Sequence, residues 1–237
     1  IVWHIDDVKV SSVSKKLVDE FIEWCKHEFE DITITKMKPS RGKVHDYLGM
    51  ILDYSQPGKV SISMKDYIQK TLDEFKYQDD LKATKAVQSP ASEYLFRINP
   101  RSTKLDKAMK EDFHTTVAKL LFLAKRARPD IQPLVPFLCT RVQEPDTDDW
   151  KKLLRGLKYL QSTIDLVLTL EADPDYPGIH AQWWPDASFA THADMKSHTG
   201  AVLSFGKGAV KTVSMLNQVN WQGQLIDCVF SVLILFD

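Results

Sequence analysis

Apolar and polar positions alternate in short bursts near both ends of the chain, while between them apolar residues recur every three or four positions. At the start, Ile1-Val2-Trp3-His4-Ile5 and Val8-Lys9-Val10 flank Asp6-Asp7, an order that predicts a tight β-hairpin with the aspartates at its turn. Its strands are expected to pair with residues 44–54 or a neighbouring sheet element. Leu17, Phe21, Cys25 and Phe29, with Val18 and Ile22 beside them, keep i, i+4 spacing, so residues 14–29 should form an amphipathic helix. Residues 44–54 read as one strand, Ser55-Gln56-Pro57-Gly58 as turn chemistry and Val60-Ser61-Ile62 as the returning strand. Together these make a βαββ unit.

Ser63, three residues before Asp66, has the form of a capping box, and Tyr67, Ile68, Leu72 and Phe75 give the helix after it one apolar face. Residues 76–100 are polar, lack a period and end in Asn99-Pro100, which predicts a linker and a subdomain boundary. Met109, Phe113, Val117, Leu120, Leu121 and Ala124 form the stripe of a helix over 106–127, stopped by Pro129. A third helix is expected over 146–161, with Asp146, Asp148 and Asp149 in its first turn and Lys151, Lys152, Arg155 and Lys158 further on, as the helix dipole favours. Residues 165–171 alternate, 181–186 read as a short strand, and 200–205 should pair with 209–214 through Gly206-Lys207-Gly208. These last strands predict a β-meander.

Composition narrows the partners. With 31 Lys and Arg against 32 Asp and Glu the formal charge is -1, so any nucleic-acid site must rest on local patches. The hydrophobic share of 43% over 237 residues is enough for one large domain or two small ones. Cys25, Cys139 and Cys228 stand far apart, without the spacing of a zinc site or the even count of a disulfide framework, which fits a reducing compartment. The start carries no basic leader. The longest apolar run, 229–236 with Ser231 inside it, falls far short of the roughly 20 residues of a membrane span. The chain opens with Ile1, inside a strand, and reads as an excerpt.

Two adjacent carboxylates repel unless something offsets their charge. A hard divalent cation does so, and a pair of such ions can bridge the attacking and leaving oxygens of a phosphoryl transfer; a solvated acidic turn is the plain alternative. The surrounding residues change the weighting. Trp3-His4-Ile5-Asp6-Asp7-Val8-Lys9-Val10 resembles the aromatic-x-Asp-Asp hairpin of reverse transcriptases, above all those of copia-type long-terminal-repeat retrotransposons, with His4 where tyrosine is usual. Asp46-Tyr47-Leu48-Gly49-Met50 looks like the strand that grips the primer end. Residues 113–131 resemble the thumb helix with its Arg-Pro-Asp stop, and 149–165 the connection before ribonuclease H. Asp186-Ala187-Ser188-Phe189-Ala190 and Lys196-Ser197-His198-Thr199-Gly200 look like the first ribonuclease H strand and the start of the second. The matches run in order from the start to about Asn220.

This resemblance implies an α+β fold: a partial reverse transcriptase palm (βαββ) with a helical thumb and connection, and a truncated ribonuclease H-like sheet. The implied divisions are palm and start of the thumb over 1–80, a linker over 81–100, thumb and connection over 101–172, ribonuclease H-like strands over 173–220, and a non-matching tail over 221–237. By the same analogy Asp6 and Asp7 hold Mg²⁺ or Mn²⁺ in the palm and Asp186 is the first carboxylate of the ribonuclease H metal site. Lys119, Lys125, Arg126 and Arg128, on or beside the thumb-like helix, would contact phosphates, with Tyr47 and Gly49 near the primer. The implied partners are an RNA/DNA template-primer, deoxynucleoside triphosphates and other parts of the Pol polyprotein, with no membrane, in the cytoplasm (a virus-like particle) or the nucleus.

The family pattern also breaks. A further palm Asp would precede Ile1, and the Glu-bearing helix of ribonuclease H is replaced by the apolar tail 221–237. Both metal sites are therefore expected to be incomplete and the chain inactive alone, with the tail adding an edge strand or staying loose. Rival readings are a noncatalytic nucleic-acid-binding or scaffold remnant of a degenerate element, and an unrelated metal-dependent phosphotransferase. His192, Asp194 and His198 read as loop polar residues rather than ligands.

Overall fold

The structure, a computed structural model, describes residues 1–29, 37–173, 181–189, 191–192 and 195–216. The tail 221–237, with Cys228 and the 229–236 run, lies outside the described residues, as do Ala190 and Asp194.

Strands β1 (Val2–His4) and β2 (Asp7–Lys9) form the expected hairpin. It is a separate two-stranded sheet and does not join the strands of 44–54, against the sequence expectation. Helix α1 (Lys15–Phe29) follows the predicted periodicity, yet buries only Cys25 and leaves Leu17 and Trp24 exposed.

Residues 44–54 are two strands rather than one: β3 (Val44–Tyr47) and β4 (Met50–Asp53) turn back through Leu48 and Gly49. Both turn residues have positive φ, +54° and +73°, the backbone of a two-residue hairpin turn whose twist matches the strands. The βαββ reading missed it because leucine is an unusual left-handed residue. β5 (Lys59–Ser63) pairs with β4. The Ser63/Asp66 capping box does not form. Met64 is the N-cap of α2 (Lys65–Asp73) without a side-chain cap, and Ser63 Oγ instead accepts from the Lys65 amide at 3.3 Å.

The stretch expected to be a linker is packed. It contains α3 (Gln78–Ala83), and Leu81 and Leu95 lie in the same apolar cluster as the long helices. Trp150 Nε1 reaches across to donate to Asp80 at 3.0 Å.

α4 (Lys107–Ala124) is capped by Asp106, which accepts from the Met109 amide at 2.8 Å. α6 (Thr147–Ser162) starts with a capping box between Asp146 and Asp149. Between them a 3-10 turn (Pro129–Ile131) leads to α5 (Leu134–Arg141), a helix the sequence reading did not find. Pro133 stands at its N-cap and Pro136 in its first turn, where a missing N–H costs no helical bond. Phe113, Ile131, Leu138, Leu153 and Leu157, all fully buried, centre the core these helices enclose.

β6 (Leu168–Ala172) leaves the expected meander and pairs antiparallel with β5, Ile62 opposite Leu168 and Lys59 opposite Glu171. With β9 (Gly206–Lys207) it completes a five-stranded sheet in the order β3-β4-β5-β6-β9. Ion pairs of Glu171 with Lys59 and Lys207, each at 3.4 Å, reinforce that edge. A three-stranded antiparallel sheet, β10-β8-β7, is built from β7 (Gln182–Ser188), β8 (His198–Ser204) and β10 (Lys211–Leu216), with β8 and β10 paired as expected. The architecture is α+β with antiparallel sheets around a helical core. Among the described residues no helix is long and apolar enough to cross a membrane.

Candidate nucleic-acid interface

The first candidate group is the hairpin tip. His4 pairs with Asp7, so the turn residues are Ile5 and Asp6, with Asp7 opening β2. Ile5 has φ +52°, a costly conformation for a β-branched residue, and Trp3 Nε1 braces the turn by donating to the Ile5 carbonyl at 2.6 Å. Both aspartates are exposed. Lys9 Nζ lies 5.5 Å from the ring centre of Tyr54, tying the hairpin to the end of β4.

Two exposed carboxylates are suitable donors for a hard cation, which takes six or more oxygens. Among the described residues, however, no three His, Cys, Asp or Glu side chains stand together as a metal cluster. The aspartates are a partial donor set that does not by itself fit a metal centre. Asp186 sits elsewhere, exposed on β7 with Gly200 of β8 across from it. The two acidic elements belong to different sheets.

Tyr47 and Gly49 lie at the β3–β4 turn, where the buried Tyr47 hydroxyl has no hydrogen-bond partner among the described residues. The φ of +73° favours glycine at 49.

The basic residues separate into two kinds. Lys119 is engaged, with Nζ 2.7 Å from Glu74 Oε2, and this hydrogen bond is the leading cause that holds the Glu74 carboxyl below the usual range. Arg128 is 1% exposed. Its guanidinium donates to both Asp130 oxygens at 2.7 to 3.2 Å, to the Thr163 carbonyl at 3.0 Å and to Thr163 Oγ1 at 2.7 Å. It fastens the end of α4 to the end of α6 and presents no charge to a ligand.

Lys125 and Arg126 have a different setting. Lys125 is the exposed C-cap of α4, and the Arg126 guanidinium carbon lies over the Phe122 ring, 3.6 Å from its centre. Both border a cleft of about 400 Å³ between the end of α4 and β10, which also contains Lys211, Thr212, Ser214 and Gln132. Lys211 is the residue the sequence reading missed. It is 85 residues from Arg126 in the chain, and only the packing of β10 near the end of α4 brings the two to one cleft. Three cations and two hydroxyls around an open cleft suit a phosphate backbone. Among the described residues no activated thiol is present: burial is the leading cause that raises the pKa of both Cys25 and Cys139.

No protein-family model and no solved structure matches the chain. Among curated proteins it is similar to a Saccharomyces cerevisiae protein that carries a transposon Ty5-1 name, 27% identical over 216 residues, which is 90% of this chain and 64% of the yeast protein. It is also similar to an uncharacterized mitochondrial protein of Arabidopsis thaliana, 26% identical over 164 residues, 69% of this chain and 62% of that one. The chain thus spans less than two thirds of the length of both relatives.

Proposed function

We propose that the chain is part of a copia-type retrotransposon polyprotein: the downstream palm of a reverse transcriptase over 1–80, thumb and connection over 101–172, and the opening strands of a ribonuclease H domain over 173–220. The observation that carries this reading is the hairpin that exposes Asp6 and Asp7 at its tip, in a chain similar over nine tenths of its length to a protein named for a transposon. In the intact parent, the activity is templated DNA synthesis from deoxynucleoside triphosphates, coupled to hydrolysis of the RNA strand of a hybrid. Mg²⁺ or Mn²⁺ would supply Lewis-acid stabilisation there. This chain contributes two carboxylates toward one centre and Asp186 toward the other, so it is inactive alone.

What it retains is a grip on the template-primer. Lys125, Arg126 and Lys211 neutralise backbone phosphates at the cleft and release their counterions. Fluorescence anisotropy with a labelled RNA/DNA primer-template should show salt-sensitive binding. Reversing all three charges (K125E, R126E, K211E) should weaken it at least tenfold and flatten the salt dependence by roughly 2 to 3 contacts. Binding unchanged by the triple variant sinks the cleft assignment. Primer extension by the chain alone, abolished by Asp6→Asn, sinks the claim that the centre is incomplete. The flanking DNA tests the parentage: an in-frame upstream strand carrying a further Asp, with protease and integrase beyond it, is expected.

A second reading, a noncatalytic nucleic-acid-binding remnant of a degenerate element, draws on the lack of a three-ligand cluster among the described residues. The flanking DNA separates the two, because a remnant would sit among frameshifts.

A further inference from the structure

Two histidines are pressed against the helical core from the loop and strand that follow β7. His192 Nε2 is 3.0 Å from His198 Nδ1, and His198 Nε2 is 2.8 Å from Ser214 Oγ. Both rings lie against Phe96, at 4.6 and 4.9 Å between centres, and His192 also stacks on Phe137 of α5 at 6.4 Å. Phe96 and Phe137 belong to the helical core, whereas His198 opens β8 and Ser214 lies in β10. The hydrogen-bond chain therefore runs from the loop through the central strand to an edge strand, and its last member lines the basic cleft. The His192 amide donates to the Lys196 carbonyl at 3.1 Å and its carbonyl accepts from the Met195 amide at 2.9 Å, which fixes the backbone that carries the ring.

We propose that the His192–His198 pair is an acid-sensitive latch that docks the three-stranded sheet on the helical core and so shapes the cleft between α4 and β10. The inference rests on this docking geometry and is independent of the nucleic-acid reading.

Neutral rings complete the chain with one proton each: His192 Nε2–H donates to His198 Nδ1, and His198 Nε2–H donates to Ser214 Oγ. An added proton on His198 sets two N–H groups face to face unless His192 changes tautomer, and it places a charge in an aromatic pocket. The phenyl faces return part of that cost as cation–π attraction. Burial outweighs it and, with His192 adjacent, brings the His198 pKa down to about 4.

Among the described residues, the charged side chains on the surrounding elements are chiefly cationic or already paired. Lys152 of α6 lies 4.7 Å from the Phe137 ring centre and is paired with Asp148 at 2.9 Å, and Arg97 next to Phe96 covers Tyr94. Arg141 of α5 is paired with Asp149 at 2.9 Å and Asp146 at 3.4 Å. Lys196 shares the loop, Lys211 is on β10, Lys125 ends α4, and Asp186 on β7 stands across from Gly200 rather than from His198, which faces Ser188.

Hydrogen exchange of the whole chain at pH 7.5 and pH 5.0, each corrected for the intrinsic amide rate, tests the latch. Amides of β8 and β10 should open at least tenfold more at pH 5.0 while α4 keeps its protection, because the open state takes up protons that the docked state resists. His198→Gln keeps a donor but cannot titrate, and should bring the pH ratio close to one. A wild-type ratio near one, or a tenfold ratio that persists in H198Q, overturns the proposal. Should H198Q fail to fold, the NMR titration of His198 in the wild type decides: a midpoint well below 6.5 supports the latch, and a midpoint at 6.5 with the sheet still protected refutes it.

Discussion

Arg128 offers the sharpest test of the packing, because its position invites two opposed interpretations. In Arg128→Ala the Asp130 carboxylate, the Thr163 carbonyl and the Thr163 hydroxyl lose five hydrogen bonds between them. Removing one partner of a fully buried ion pair typically costs about 3–5 kcal/mol. Here the Asp130 side chain is 26% exposed and can recover water, which pulls the figure down, while the Thr163 carbonyl adds roughly 1 kcal/mol or more if left unsatisfied. A net loss of about 3 kcal/mol follows. With a urea m-value near ~2.5 kcal/mol/M, the unfolding midpoint followed by circular dichroism should fall by roughly 1 M at unchanged slope. Arg128→Lys should recover less than half, because one ammonium cannot span both Asp130 and Thr163. A midpoint within about 0.2 M of wild type in R128A, at an m-value of that size, would falsify this account of the α4–α6 junction. If R128A instead kept its stability and lost nucleic-acid affinity, Arg128 would belong with Lys125 and Arg126 after all.

Other outcomes follow from single positions. Gly208→Ala should cost ~2–4 kcal/mol in thermal or chemical unfolding, since φ is +87° and a Cβ there collides with the Thr169 carbonyl oxygen; a neutral result would mean that the β9 edge is not held as described. Asp146→Ala should lose about 2 kcal/mol, because the side chain caps α6 through the amides of Asp148 and Asp149 at 2.8 and 3.0 Å; equal stability would remove the cap from the account. Ile5→Gly should relieve the positive φ and raise hydrogen-exchange protection of β1 and β2 by up to ~1 kcal/mol, with lower protection counting against the strain. For pH, the folded His198 pKa of about 4 lies below the unfolded value of roughly 6.5. Stability is therefore fully present above pH 6.5 and is lost as pH falls toward 4, by up to about 3 kcal/mol, and urea midpoints that stay flat across that window would contradict it.

The long helices were legible because their periodicity and their caps agree: the stripe from Met109 to Ala124 and the acids at Asp146 and Asp149 each mark an element the structure contains. The β8–β10 pairing was legible for the same reason, with Gly206 and Gly208 both at positive φ. Harder to read was whatever depends on distant partners. Residues 165–171 announce a strand but not its neighbour, and β6 sits beside β5 because its half-buried Leu168 and Leu170 face Ile62 and Val60 there. α5 hides behind two prolines that usually signal a break. At the candidate site, the aspartate tip was visible in eight consecutive residues, whereas the cleft needs Lys211 from another sheet. Arg128 and Lys119 look like surface cations in sequence, and only the packing reveals that Asp130, Thr163 and Glu74 already hold them.

The pairing of β5 with β6 also sets an order of events at the ribosome. Val60 and Ile62 are synthesised first, and the strand that covers their open edge, Leu168–Ala172, arrives about a hundred residues later. At roughly 5–20 residues per second this interval lasts on the order of 5–20 s. Throughout it the nascent chain displays an unpaired β-edge, with Lys59 near one end to discourage the wrong neighbour. Chains on one polysome pass through the same state side by side. Ribosomes that stall or terminate within the helical region would release products with that edge permanently open, and such products should aggregate where the longer chain does not.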